Sequence, residues 1–279
     1  MKTPLLLSAA QLNDGLSAGD CLAVDCRFDL ADTGRGRMQW LAGHIPGARY
    51  AHLDDDLSAP IRPESGRHPL PDTAAFARYL GSIGWNPDRL LVAYDEGANA
   101  IAARLWWLMR YHGLPAGLLD GGLAAWRAAS LPLEAGEVAV EPGPAPALAV
   151  DADFVVTTQQ LADDLASFTV LDARTSERFS GAVEPLDTKA GHIPGALNRP
   201  FGHNLHLNGR FKDPEDLRDE FEMLLDDHPE PVVHSCGSGV TACHNLFAME
   251  LAGLTGSRLY AGSWSEWIRD DARPIVTGT

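Results

Sequence analysis

The feature that most constrains this chain is an internal duplication. Ala42-Gly43-His44-Ile45-Pro46-Gly47-Ala48 recurs letter for letter at Ala190-Gly191-His192-Ile193-Pro194-Gly195-Ala196, an offset of 190 − 42 = 148 residues. Other pieces keep the same order around it. Gln11-Leu12-Asn13-Asp14-Gly15-Leu16 parallels Gln160-Leu161-Ala162-Asp163-Asp164-Leu165, both patterned as amphipathic helices. Ala23-Val24-Asp25-Cys26-Arg27 parallels Val170-Leu171-Asp172-Ala173-Arg174, an apolar strand ending on Asp-x-Arg. Asp120-Gly121-Gly122-Leu123-Ala124-Ala125-Trp126 parallels Ala261-Gly262-Ser263-Trp264-Ser265-Glu266-Trp267. Two copies at this spacing mean a duplicated domain, since solenoid repeats are far shorter.

Each copy alternates helical segments with short apolar runs such as Leu90-Leu91-Val92-Ala93-Tyr94 and Pro231-Val232-Val233-His234. That alternation predicts an α/β fold in each copy, a mainly parallel sheet with helices on both faces. The Gly-His-Ile-Pro-Gly-Ala segments read as turns, bent by Gly and Pro before the next strand. A chain of 279 residues is long for one core, so two domains of roughly 120–150 residues are expected. The pattern divides it into a first domain over 1–133, a semi-rigid Pro/Gly/Ala/Glu-rich linker over 134–153 and a second domain over 154–279.

Lys and Arg total 22 against 38 Asp and Glu, a formal charge of −16 with no basic stripe to overcome it. Nucleic acid and acidic membrane surfaces are therefore excluded as partners. Any anion site must gather its positive potential locally, from backbone amides and a few arginines. No apolar run approaches the length of a membrane span, and the N-terminal leucines are too few for a secretory signal, so a cytoplasmic protein is expected. Cys21, Cys26, Cys236 and Cys243 show no C-x-x-C spacing, and the histidines form no matching ligand pair. Neither a disulfide framework nor a zinc site is expected, and no Walker or dinucleotide pattern asks for a cofactor.

Chemistry concentrates at Cys236-Gly237-Ser238-Gly239-Val240-Thr241, between an apolar strand and a helical segment from Ala242 to Leu251. Glycines at 237 and 239 permit a tight backbone that aims several amides at one atom. Such donors, at a helix start, favour a sulfur anion as nucleophile. Aligning Tyr94-Asp95-Glu96-Gly97 with His234-Ser235-Cys236-Gly237 at an offset of 140 puts Glu96 in the cysteine's place in the first copy. A carboxylate is no sulfur nucleophile, so the reaction is expected in the second domain, with the first closing over it. Cys21, Cys26 and Cys243 read as small core residues, and His234 and His244 as structural histidines.

The paired Gly-His-Ile-Pro-Gly-Ala segments, the two tail segments ending on Trp and the single C-terminal loop cysteine resemble the two-domain sulfurtransferases of the rhodanese superfamily, across the whole chain. The loop is similar to that of 3-mercaptopyruvate sulfurtransferases; thiosulfate-preferring members carry Arg and Lys where this chain has Gly237 and Ser238. The resemblance implies two tandem rhodanese-like domains and a double displacement without a cofactor. Cys236 would take a sulfane sulfur from a small anionic donor as a persulfide held by the amides of Gly237, Gly239, Val240 and Thr241. It would then pass that sulfur to a thiol, cyanide or a protein acceptor such as a thioredoxin-like protein.

The same resemblance makes Arg178 the residue that grips the donor carboxylate, the bland reading being an arginine paired with Glu184. It also makes Ser238, His68 and Asp54 a relay that handles the proton. Mercaptopyruvate-using members carry a second arginine after an acidic-proline pair. Here Glu184-Pro185 is followed by Leu186-Asp187, leaving Lys189 as the candidate substitute. Arg67 either adds local charge or faces solvent. A cysteine phosphatase or arsenate reductase would need an arginine six positions after the cysteine, and position 242 is alanine. Two alternatives stay open: a thiosulfate:cyanide sulfurtransferase, and a persulfide carrier with little donor turnover.

Overall fold

Two sheets, one in each copy, organise the chain. The structure is a computed structural model and describes residues 5–228 and 231–278. The first copy runs β1 (Leu6–Leu7), α1 (Ala9–Ala18), β2 (Cys21–Asp25), α2 (Arg35–Ala42), β3 (Arg49–Tyr50), α3 (Thr73–Ser82), β4 (Leu90–Tyr94), α4 (Ala102–Tyr111), β5 (Ala116–Leu119) and α5 (Gly122–Ala128). The second runs α6 (Thr158–Asp163), β6 (Thr169–Asp172), α7 (Ser176–Ser180), β7 (Leu197–Asn198), α8 (Pro214–Leu225), β8 (Val232–Ser235), α9 (Ala242–Leu251), β9 (Arg258–Leu259) and α10 (Ser263–Trp267).

The sheet orders are β1-β5-β4-β2-β3 and β7-β6-β8-β9, and every pairing is parallel. Residue Val155 bridges Leu259 in parallel, in the place β1 holds beside β5. Every residue of β2, β5, β6 and β8 is buried, as expected of parallel strands covered on both faces. Even the helix starts are duplicated. Ser8 caps α1 and Thr157 caps α6, each in a reciprocal box with a glutamine three residues on, Gln11 and Gln160. Trp126 packs in the first core, and Trp264 and Trp267 in the second.

The compact units do not follow the repeat boundary strictly. One comprises the described residues of Met1–Ala59, Leu70–Asp151 and Leu207–Phe211; the other holds Pro60–Pro69, Ala152–His206 and Lys212–Thr279. The segment from Glu134 to Asp151 lies along the first unit. Glu134 bridges His44, the Gly143 amide donates to the Gly81 carbonyl at 2.9 Å, and the Asp151 amide to the Tyr111 carbonyl at 3.4 Å. The short segment Pro60–Pro69 is fastened inside the second unit. Gly66 N–H donates to Glu266 at 3.3 Å and Arg67 N–H to Ser265 Oγ at 3.0 Å. No helix among the described residues is long and apolar enough to cross a membrane.

The seven-residue repeat has a direct physical cause. At the end of β2 the buried Asp25 carboxylate holds the Arg27 guanidinium side-on at 2.7–3.0 Å, and Arg27 Nη2 donates to the Gly43 carbonyl at 2.8 Å. At the end of β6, Asp172, Arg174 and the Gly191 carbonyl repeat the same three-part clamp, with 2.7 Å and 2.8 Å for the matching bonds. His44 Nδ1 bonds the Trp40 carbonyl and His192 Nδ1 the Phe179 carbonyl, and each imidazole stacks on the ring of that same residue. Ile45 and Ile193 then drop into the two cores, and Gly47 and Gly195 turn the chain at φ 73° and 75°. Asp-x-Arg and Gly-His-Ile-Pro-Gly-Ala therefore recur together because each half satisfies the other's buried polar groups.

Arg27→Ala leaves the Asp25 carboxylate buried without its partner. The expected loss is about 3–5 kcal/mol of stability, read by urea unfolding. The double change Asp25→Asn with Arg27→Met should recover part of it, since no unpaired charge then remains in the core.

Candidate active site

β8 delivers the chain at Cys236, and the loop 237–241 carries it into α9. Gly239 has φ 75°, and a Cβ there would lie 2.3 Å from the Ala261 carbonyl oxygen, so no other residue fits. The loop is pinned from the side of α10. The Cys236 amide donates to Ser263 Oγ at 3.0 Å, while Trp264 and Ser265 N–H groups donate to the carbonyls of Cys236 and Gly237 at 3.0 and 2.9 Å. With its backbone held this way, Cys236 presents its sulfur to the loop's interior. The amides of Gly239 and Ser238 point at Sγ from 3.1 and 3.5 Å, and the residue is only 2% exposed. Val240 is buried, and Thr241 leads directly into α9.

Two guanidinium groups meet above Gly237. A Cβ at that position would lie 2.8 Å from Arg67 Nη2 and 3.4 Å from both Nη atoms of Arg178. The missing side chain leaves room here for the two guanidinium groups, and Gly237 is not among the positive-φ glycines. Buried carboxylates aim both arginines. Glu184 accepts from Arg178 Nε and Nη2 at 3.2 and 2.8 Å, Asp187 Oδ2 accepts from Arg178 Nη2 at 3.2 Å, and Asp187 Oδ1 accepts from Arg67 Nη1. Burial pushes Glu184 up, but bonds from Arg178 and the Leu186 and Asp187 amides outweigh it and hold the carboxyl below its usual range. For Asp187 burial prevails over the attraction of Arg67 and Arg178, and its carboxyl lies above the usual range.

Arg178 thus has both features set against each other in the sequence: it pairs with Glu184 and it also stands over the cysteine loop. Lys189 has its ammonium on the exposed Asp271 at 2.5 Å. The second guanidinium at Gly237 is that of Arg67, which sequence reading left between a charge donor and a solvent-facing side chain. No local pattern marks it, since its neighbours at the loop lie far away along the chain.

Ser238 and His68 come together. Ser238 Oγ lies 2.7 Å from His68 Nδ1, and both residues are buried. Asp54 belongs to the first unit, where burial, the largest influence, raises its carboxyl, with Asp55 adding to the rise and His52 opposing it. His234 is wholly buried at the centre of β8, and desolvation pushes it down to about 3, which keeps it neutral. His244 is also buried, bonded to the Asn204 amide and edge-on to Phe201. Cys243 donates its thiol to the Gly239 carbonyl at 3.3 Å and braces the loop from below. Cys21, Cys26, Cys236 and Cys243 are all buried, and none of them forms a disulfide. Among the described residues no group of three or more His, Cys, Asp or Glu is disposed to hold a metal.

The strand register corrects the sequence alignment of the two loops. Asp25 pairs with Tyr94 in the first sheet and Asp172 with Ser235 in the second. Asp95, not Glu96, is therefore the counterpart of Cys236. The carbonyls agree: Asp95 and Glu96 accept from Leu123 and Ala124, as Cys236 and Gly237 accept from Trp264 and Ser265. An ungapped offset of 140 matches the starts of α4 and α9 but misses one extra residue in the first loop. Asp95 fills its own cradle. Oδ1 accepts from the amides of Gly97 and Asn99 at 3.1 and 2.8 Å, and Oδ2 from those of Ile101 and Ala102 at 3.0 and 3.5 Å. Glu96 instead bonds Arg127 beside Arg27.

Comparison with known proteins agrees with this architecture. The rhodanese-like domain family matches residues 8–129 and 157–270. A Pseudomonas aeruginosa protein named "Probable 3-mercaptopyruvate sulfurtransferase" is 50% identical over 287 aligned positions, covering 100% of both chains. A Mycobacterium tuberculosis protein, SseB, whose name includes thiosulfate sulfurtransferase, is 39% identical over 99% of this chain and 98% of its own. The crystal structure of SseA from Escherichia coli, described as a 3-mercaptopyruvate sulfotransferase, superposes with a TM-score of 0.82 at 33% identity, covering 95% of this chain and 100% of that one. With both of its repeats matched and full-length relatives at this identity, the chain belongs to the rhodanese family, as a protein of two tandem rhodanese-like domains.

Proposed function

We propose that this chain is a sulfurtransferase that moves a sulfane sulfur from 3-mercaptopyruvate to a thiol, cyanide or protein acceptor through a persulfide on Cys236. The observation that carries this reading is the loop itself: amide donors aimed at one sulfur, beneath two guanidinium groups. Thiosulfate is the alternative donor, in keeping with the name of the Mycobacterium relative. A phosphate ester fits poorly, because Ala242 stands where an oxyanion-gripping arginine would be needed.

In the first half-reaction the Cys236 thiolate attacks the donor's sulfur. The sulfur–sulfur bond forms as the carbon–sulfur bond breaks, and the electron pair stays on carbon as the enolate of pyruvate. Carbon is then protonated and the new persulfide gives up its proton, so that one proton passes in net from sulfur to carbon. The Ser238 hydroxyl, held by His68, is the group that serves this transfer. Asp54 completes the relay on the strength of its position in the sequence. Amides of the loop 237–241 hold the negative charge of the outer sulfur. In the second half-reaction the acceptor attacks that outer sulfur and returns Cys236 as thiolate, giving thiocyanate when the acceptor is cyanide. Arg178 anchors the donor carboxylate, for which its planar fork is suited. The first domain is non-catalytic in this reading, its cradle being filled by Asp95.

Incubation with mercaptopyruvate should add one sulfur atom to Cys236, seen by intact-mass analysis, and Cys236→Ser should abolish both this adduct and turnover. An unmodified wild-type protein with either donor would end the reading. Ser238→Ala should slow donor loading roughly a hundredfold or more while sulfur transfer from the loaded enzyme to cyanide keeps its rate. Rapid-quench measurement of the two half-reactions separates these effects. Arg178→Gln should raise KM for mercaptopyruvate about tenfold to a hundredfold, the worth of a hydrogen bond to a charged group, with little change in KM for cyanide.

A further inference from the structure

We propose that Arg67 is the second arm of the donor-binding clamp, and that Asp187 bridges Arg67 and Arg178 into one unit selective for a planar, singly charged carboxylate donor. This rests on the sulfur-transfer reading and names the residues that set its donor class. Arg67 lies 120 positions along the chain from Asp187 in the acidic-proline stretch where a second arginine was sought, and it reaches the loop from the segment Pro60–Pro69. Its Nη2 and the Nη atoms of Arg178 converge on Gly237, immediately beside the residue that carries the sulfur.

The arrangement has the marks of a prepared site. The Asp187 side chain is 4% exposed and gives one oxygen to each arginine, so the two forks are fixed relative to each other before any ligand arrives. Asp187 uses Nη1 of Arg67, Glu184 and Asp187 use Nε and Nη2 of Arg178, and none of the hydrogen bonds among the described residues uses Arg67 Nη2 or Arg178 Nη1. Those two donors remain for a ligand. The backbone of Arg67 cannot drift away from them. Its N–H is held by Ser265, whose own N–H holds the Gly237 carbonyl, so Arg67 and the cysteine loop share one anchor. Beside it a Cβ on Gly66 would lie 2.6 Å from the Gly262 carbonyl oxygen, and Arg269 Nε donates to the Ser65 carbonyl at 3.2 Å.

Charge then favours one donor class over another. Glu184 and Asp187 already offset Arg67 and Arg178, and the chain as a whole carries −16. A monoanion meets two free N–H groups without a large repulsion, whereas a dianion such as thiosulfate is opposed twice as strongly. A planar carboxylate also matches a pair of guanidinium forks in shape.

The test compares mercaptopyruvate with mercaptoacetone, which keeps the sulfhydryl ketone and lacks the carboxylate. Arg67→Gln should lower kcat/KM for mercaptopyruvate about tenfold to a hundredfold, through KM, and leave mercaptoacetone and KM for cyanide unchanged. Arg67→Lys should fall between, because a point charge replaces part of the fork's work. The double change Arg67→Gln with Asp187→Asn removes the carboxylate that the single change leaves buried. It should keep its thermal midpoint and still lose the preference for mercaptopyruvate. Equal losses with both ketones in Arg67→Gln, or no loss with either, while the wild type loads sulfur normally, would overturn the clamp and leave the sulfur-transfer reading standing. A wild type that loads no sulfur on Cys236 overturns both.

Discussion

A carboxylate and a guanidinium buried side by side at the end of a strand hold this architecture together. Asp172 with Arg174 is one such pair and Asp25 with Arg27 the other, the arginine Nη2 in each also donating to the carbonyl of the turn that follows. Removing either partner would strand a charge in the core, so the pair and its turn are fixed as a block. In the second copy the block extends outward. Arg174 Nη1 approaches Glu184 at 3.5 Å, its guanidinium lies 4.9 Å from the Trp264 ring, and Trp264 N–H holds the Cys236 carbonyl. Glu184 in turn aims Arg178. The loop that carries the sulfur and the arginine that faces it are thus braced by one buried ion pair.

The first copy shows the same extension put to a different use. Arg27 approaches Glu96 at 3.6 Å, and Glu96 pairs with Arg127 at the surface. Position for position, a guanidinium that braces Glu184, and through it Arg178, in one copy meets a surface ion pair in the other. The difference lies in a few side chains and one inserted loop residue, not in the sheet.

Much of this was legible in the sequence because it depends on local pattern. The repeat, the parallel α/β layout and the glycine-framed cysteine follow from spacing and from residues that admit few conformations. The 2.7 Å approach of Ser238 to His68 agrees with a pairing that the family resemblance suggested. Two things were not legible, for separate reasons. Arg67 belongs to the site through Ser265, Asp187 and Gly237, contacts between segments more than a hundred residues apart that leave no periodic trace. Asp95 was displaced by one place because the helices of the two copies align at one offset and the strands at another. Hydrogen bonding between neighbouring strands decides such a case, and a string of letters does not record it.

Asp95 also makes plain what kind of occupant these loops accept. Held by amides on both oxygens, it is a covalently fixed tenant of its loop. In the cycle proposed for the second copy, Cys236 is an anion both as thiolate and as deprotonated persulfide. The dipoles around residue 236 would then face the same sign of charge in both resting forms. Such a turnover would ask only for a change of outer atom, and the peptide groups lining the nest could stay where they are.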